Sequence, residues 1–157
     1  MDIFTVSFFG HRIVEQPAEI EKRLCNLLRD LLREREYVEF LVGREGDFDL
    51  LASSCIRRIV REYGNGSASL ILVLPYPKSE IYKNKTEYLR YYDEIELCES
   101  SANAHFKSAI RQRNNHMVDR SDLVICYIRH ESGGAARAVR YAGKQEKRII
   151  NLAERDD

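Results

Sequence analysis

The sequence has no excess of charge of either sign. Its 25 lysines and arginines are matched by 25 acidic residues, giving a formal charge of zero and a pI of about 6.9. That balance argues against a general binder of nucleic acid or membrane surfaces, although a local basic patch fits inside a neutral total. No apolar run approaches the ~20 residues needed to span a bilayer. The amino-terminal MDIFTVSFFG lacks a basic leader and reads as a first strand instead of a signal peptide. Cys25, Cys55, Cys98 and Cys126 form no CxxC pair, and each sits inside an apolar pattern. Free core thiols of a reducing compartment follow, and the cytoplasm is the expected location. His105, His116 and His130 have no metal-ligand spacing with one another or with cysteine, so neither a metal site nor a cofactor is expected. The rigid GxGxxG, GxSxG and GxxxxGKS/T spacings are missing as well. Ordinary NAD(P) dehydrogenase, serine-hydrolase and P-loop readings therefore have no motif to stand on.

What the chain does have is alternation. Segments 3–9, 37–42, 68–74 and 123–128 are β-branched and apolar, the way strands buried on both faces of a parallel sheet are written. Segment 148–152 reads as a last strand and 93–98 as a short one. Between them lie helical periodicities. Pro17 opens one that runs to about residue 36, with Ile20, Leu24, Leu27, Leu28, Leu31 and Leu32 on one face. A second runs from about Phe48 to Tyr63 and is stopped by Gly64-Asn65-Gly66. Others cover 102–117 and 134–143. Residues 78–90 read as a loop with at most one helical turn, and residues 154–157 as a frayed acidic tail. There is no repeat, linker or low-complexity segment in the 157 residues. The expected architecture is one domain, 1–157, an α/β three-layer sandwich around a mostly parallel sheet.

The glycines point to where a site would be. Gly10, Gly43, Gly46, Gly133 and Gly134 follow the carboxyl ends of expected strands, the edge at which open α/β sheets bind ligands. Glycine there either admits a ligand to the backbone or simply ends a strand. His11 and Arg12 follow the first strand, and an arginine at that edge suits phosphate or carboxylate, or else a surface ion pair. Asp47 and Asp49 open the second helix as caps or as ribose contacts. The strand 123–128, the Gly133–Gly134 turn and the helix after it make an arrangement suited to an anion. Just upstream, Arg113 falls on the apolar stripe of its helix. A buried guanidinium needs a partner, and Asp119 or Asp122 is the expected one if Arg113 is a brace and not a ligand contact.

Taken in order, SFFGHR (7–12), FLVGREGDFDLLA (40–52), RQRNNHMVDRSDLVICYI (111–128), GGAARAVRYA (133–142) and IINLA (149–153) resemble the YpsA-like branch of the SLOG superfamily. That superfamily groups Rossmann-like domains related to the DNA-processing Smf proteins and the LOG cytokinin-activating enzymes. The resemblance implies a Rossmann-like sheet that binds or senses a nucleotide-derived, ADP-ribose-like molecule. By position it implies contacts from Gly10, His11, Arg12, Gly43, Asp49, Arg113, Asn114, Asp119, Ser121, Gly133 and Gly134. LOG enzymes carry a PGGxGTxxE-like block with a catalytic glutamate. Here Ser132 precedes the glycine pair and residues 135–140 hold no carboxylate, so ligand binding is expected ahead of that reaction. A glycosidase would need Asp49, Asp119 or Glu131 instead. Tyr76 or Tyr82 would stack on a base. A single-stranded nucleic-acid module is the remaining alternative. Nucleic acid and membrane are not expected partners, and a homo-oligomer is compatible with the sequence.

Overall fold

Parallel strands need crossovers long enough to carry a helix, and this chain supplies one after every strand but the last. The computed structural model describes residues 2–64 and 66–154. In order the elements are β1 (Ile3–Gly10), α1 (Pro17–Glu34), β2 (Tyr37–Val42), α2 (Asp47–Tyr63), β3 (Ala68–Leu74), α3 (Ser79–Lys83), α4 (Lys85–Tyr91), β4 (Glu94–Leu97), α5 (Phe106–Arg120), β5 (Leu123–Tyr127), α6 (Gly134–Lys144) and β6 (Arg148–Asn151). The strands form one sheet in the order β4-β3-β2-β1-β5-β6, and every neighbouring pair is parallel. This is the Rossmann-like three-layer sandwich, entirely parallel among the described residues where a mostly parallel sheet was expected.

The continuous apolar runs are explained by burial on both faces. Phe8, Phe40, Leu72 and Ile125 face one layer with Leu24 and Leu28 of α1 and Ile56 and Ile59 of α2. Leu41, Ile71, Val73 and Val124 face the other with Met117 of α5 and Ala138 and Ala142 of α6. Burying one such leucine or isoleucine completely contributes ~1.5–3 kcal/mol. The alanines of α6 let its backbone lie close to the sheet.

Three expectations need correction. Residues 78–90 hold two short helices, α3 and most of α4, and not a loop. Ile81, Tyr88, Tyr91 and Tyr92 pack their rings and methyls against the core there, which an interleaved polar sequence conceals. The fifth helix starts at Phe106, later than the expected residue 102, and Phe106 itself is exposed. The preceding turns are held by buried Ser101, whose Oγ bonds to the carbonyls of Pro75 at 2.6 Å and Cys98 at 3.1 Å. The first helix ends at Glu34 because Arg35 is extended. Gly64, at φ 85°, caps α2 as expected. Asn65 and the tail beyond Glu154 lie outside the described residues.

The order of strands decides where a site can form. From β1 the chain builds outward through β2, β3 and β4. It then returns along α5 to place β5 on the other flank of β1. Connections leave β1 and β5 in opposite directions, so a crevice opens at their carboxyl ends.

Candidate functional site: a cleft at the switch point

A cleft of about 540 Å³ occupies that crevice. Gly10, His11 and Arg12 enter it from the end of β1, and Gly43 and Glu45 from the end of β2. Asp49 comes from α2 and Arg113 and Asn114 from α5. Tyr127, Arg129, His130, Ser132, Gly133 and Gly134 follow β5. Nine of the twelve residues expected at a site therefore line one cavity; Gly46, Asp119 and Ser121 do not.

The floor is a polar cluster built around Arg113. Arg113 is 2% exposed. Its Nη1 donates to the Val73 carbonyl at 2.8 Å, and its Nε donates to Asn114 Oδ1 at 2.9 Å. Its Nη2 pairs with Glu45 Oε2 at 3.1 Å. Arg113 is thus a brace, but its carboxylate is Glu45 and not Asp119 or Asp122. Those two belong to the opposite edge of the sheet. Asp122 accepts the Thr5 N–H at 2.8 Å, and Asp119 accepts the Tyr141 hydroxyl at 2.7 Å. Ser121 is buried at that same edge against Ser7 Oγ, at 2.5 Å, and the Met117 carbonyl, at 2.7 Å.

Asp49 is buried beside this cluster and accepts the Glu45 N–H at 2.9 Å. It is not the cap of α2; Gly46 stands at that position, with no side-chain bond. Asp47, exposed in the first turn, complements the positive end of the helix. Burial, with the Glu45 carboxylate next to it, pushes the Asp49 carboxyl up to about 7. Burial also opposes the charge on Glu45, but Arg113 and Lys78 outweigh it and hold Glu45 below its ordinary range. Lys78 Nζ stands 3.7 Å from Glu45 Oε1, an oxygen that is buried and has no hydrogen-bond partner. At neutral pH the two carboxyls therefore carry between one and two charges, with Glu45 ionised.

The rim differs. His11 Nε2 accepts the N–H of Arg129 at 2.9 Å and that of His130 at 3.4 Å. An accepting Nε2 places the proton on Nδ1 and keeps the ring neutral. Burial, then the adjacent His130, lowers the His11 pKa to match. The two imidazoles stack with centroids 3.8 Å apart and planes 3° from parallel. Arg129 is paired to Glu15 at 2.7 Å, and His130 Nδ1 shares a hydrogen bond with Ser132 Oγ at 2.9 Å. His11 thereby pins the β5–α6 turn in place. Gly133 ends the turn at φ 98°, a conformation that favours glycine. Helix α6 has no side-chain cap and no acidic residue in its first turn, so its leading N–H groups and dipole are uncompensated by side chains. Arg12 is exposed on the same rim, and among the described residues it forms no ion pair.

The glycines divide accordingly. A Cβ on Gly10 would overlap the Phe48 ring, one on Gly43 would overlap the Glu45 carboxylate, and one on Gly46 would sit 2.6 Å from Arg12 Cα. These three allow close protein packing. Around Gly133 and Gly134 an added Cβ meets nothing within 4 Å, leaving room beside the helix terminus. Tyr76, Tyr82 and Glu131 lie outside the lining. Glu45, Tyr127, Arg129 and His130 were missed as site residues. Their local sequence shows nothing but polarity or strand composition, and only the switch point gathers them. Among the described residues no cluster of three or more His, Cys, Asp or Glu side chains is placed to hold a metal ion. No described helix is long and apolar enough to cross a membrane.

No family model matches the chain, and no curated protein matches it significantly. Solved structures show the class of fold. DNA processing protein A from Helicobacter pylori, described for its unique mode of binding single-stranded DNA, superposes with a TM-score of 0.64 at 16% identity. The match covers 93% of this chain and 63% of that one. DNA processing protein A from Streptococcus pneumoniae gives 0.61 at 14% identity, over 94% of this chain and 49% of its own. A structural-genomics target, TM1055, gives 0.57 at 14% identity, over 93% and 72%. The chain thus spans less than two thirds of either DNA processing protein, and the likeness is one of fold.

Proposed function

We propose that this chain is a SLOG-like domain, 1–157, that binds a phosphorylated nucleotide derivative in the cleft between the ends of β1 and β5. The observation that carries the reading is the open amino terminus of α6 at the switch point. It combines leading N–H groups without a side-chain cap, room beside Gly133–Gly134 and, on the same rim, exposed Arg12 with no ion pair among the described residues. Phosphate takes that end, and the ribose and base extend over the floor toward Asp49 and Asn114. The YpsA-like blocks of the sequence favour the same ligand class, and four free thiols suit the cytoplasm. The test is a thermal-shift and calorimetric screen with AMP, ADP-ribose and NAD. A true ligand at ~100 times its dissociation constant stabilises the fold by ~2.7 kcal/mol. Absence of any shift, with Arg12→Ala indistinguishable from the parent, would sink the proposal.

One observation favours a second reading, a nucleotide glycosidase. Asp49 offers a buried carboxyl that still holds its proton near neutral pH at the floor of the cleft, which is what a general acid requires. Steady release of free base from AMP or ADP-ribose, abolished by Asp49→Asn, is the expected sign of it. A single-stranded nucleic-acid partner, by analogy with the DNA processing protein, would show as salt-dependent binding of an oligonucleotide.

A further inference from the structure

Away from the cleft, α1 and α2 each bring a buried cysteine, Cys25 and Cys55, to the same core cluster, where the two thiols lie within hydrogen-bonding reach of each other. Cys25 lies at the bottom of a surface groove of about 280 Å³ that Glu21, Lys22, Asn26, Arg29 and Arg58 also line. The Arg58 guanidinium reaches over from α2 and is held by two partners on α1. Nη1 pairs with Glu21 Oε1 at 2.8 Å, and Nη2 donates to Cys25 Sγ at 2.8 Å. Burial, and Cys25 beside it, push the Cys55 thiol up, so Cys55 waits as a neutral thiol next to a sulfur under a cation. The other two cysteines have no such setting. Cys98 bonds to the Ser100 hydroxyl at 3.4 Å, and burial, then Glu154, pushes the Cys126 thiol up to about 12.

We propose that Cys25 is a thiol reactive toward small hydroperoxides, presented by Arg58, and that Cys55 captures its oxidised form as a reversible disulfide between α1 and α2. The groove admits a peroxide to an otherwise buried sulfur. Cys25 sulfur gives up its proton and attacks the O–O bond, forming an S–O bond and releasing water or an alcohol. The sulfur is oxidised by two electrons, and the peroxide is reduced by the same two. The Cys55 thiol then attacks the sulfenic sulfur. The S–S bond forms, the S–OH bond breaks, and the hydroxide leaves as water with the Cys55 proton. Arg58 supplies positive charge where the attacking sulfur becomes anionic. The link fastens α2, the helix that bears Asp49, to α1.

The test treats the folded protein with hydrogen peroxide, blocks free thiols with N-ethylmaleimide and maps the unreduced digest by mass spectrometry. A Cys25–Cys55 linked peptide is expected, reversed by dithiothreitol, with Cys98 and Cys126 still reduced. In Cys55→Ser, dimedone should trap the Cys25 sulfenic acid. Arg58 is half exposed, with 52% of its side-chain surface open, so Arg58→Gln is expected to fold. It should slow the oxidation about tenfold, and Arg58→Lys should recover part of the rate. Circular dichroism confirms that each variant is folded. The proposal fails if folded protein yields no linked peptide, if Arg58→Gln reacts at the parent rate, or if Cys98 and Cys126 oxidise as fast as Cys25.

Discussion

The floor of the cleft and one part of its rim hold polar groups in opposite states. On the floor, Arg113 is committed to Val73, Asn114 and Glu45, and Asp49 to the Glu45 backbone. On the rim, exposed Arg12 lines the cleft with no ion pair among the described residues, and the leading N–H groups of α6 have no side-chain cap. A buried charge must be matched when the protein folds, because no ligand is present then to match it. An exposed charge can wait. The comparison teaches that the floor sets shape and proton state, while the rim keeps the groups that the proposed function assigns to an anion.

The largest effect should come from breaking the floor. Arg113→Ala leaves half-buried Glu45 with only Lys78, 3.7 Å away, and leaves the Val73 carbonyl unbonded, and should cost ~2–4 kcal/mol in chemical denaturation. If instead stability is unchanged and only ligand binding falls, Arg113 is a ligand contact and the contrast collapses. Next in size is a pH effect from Asp49. Its folded pKa, about 7, lies above the unfolded value near 3.9. The folded state therefore holds more protons between those values, and stability should fall as the pH rises from about 4 to 7. Asp49→Asn should remove that slope, on the order of 2–4 kcal/mol across the window. Glu45 acts in the other direction, losing its stabilising charge as pH drops through its lowered pKa, so the two contributions separate in a titration.

The glycines make a smaller test. Gly10→Ala forces a methyl into the Phe48 ring and should cost ~1–3 kcal/mol. Gly134→Ala opens onto space and should leave the melting point near that of the parent while weakening an anion that sits close to the backbone. Equal effects of the two would erase the distinction between packing and access. The smallest effect on stability belongs to Arg12→Ala, within ~0.5 kcal/mol. Affinity for a phosphorylated ligand should nevertheless drop by about tenfold, the loss of a charge-assisted hydrogen bond.

Much of this molecule could be read from its residues in order. Ile20, Leu24, Leu28 and Leu31 declare a helix face, and the run 123–128 declares a strand covered on both sides, because periodicity and burial are tied locally. Gly133–Gly134 could be placed at a helix start for the same reason. Residues 78–90 could not be read, since Ile81 and Tyr88 reach the core by tertiary contact while Tyr82 stays exposed, and together they show no regular stripe.

The sequence alone determined the succession of strands and helices, the parallel sandwich and the edge at which polar groups gather. All of these follow from interactions between residues a few positions apart. The tertiary structure decided the partners. It chose Glu45 over Asp119 and Asp122 for Arg113, sent Ser121 to the far edge, and set His11 under the β5–α6 turn. It also raised the Asp49 carboxyl to about 7 by burying it beside Glu45. Such choices depend on which strand ends meet across the sheet and how much water remains there, and no spacing along the chain encodes either.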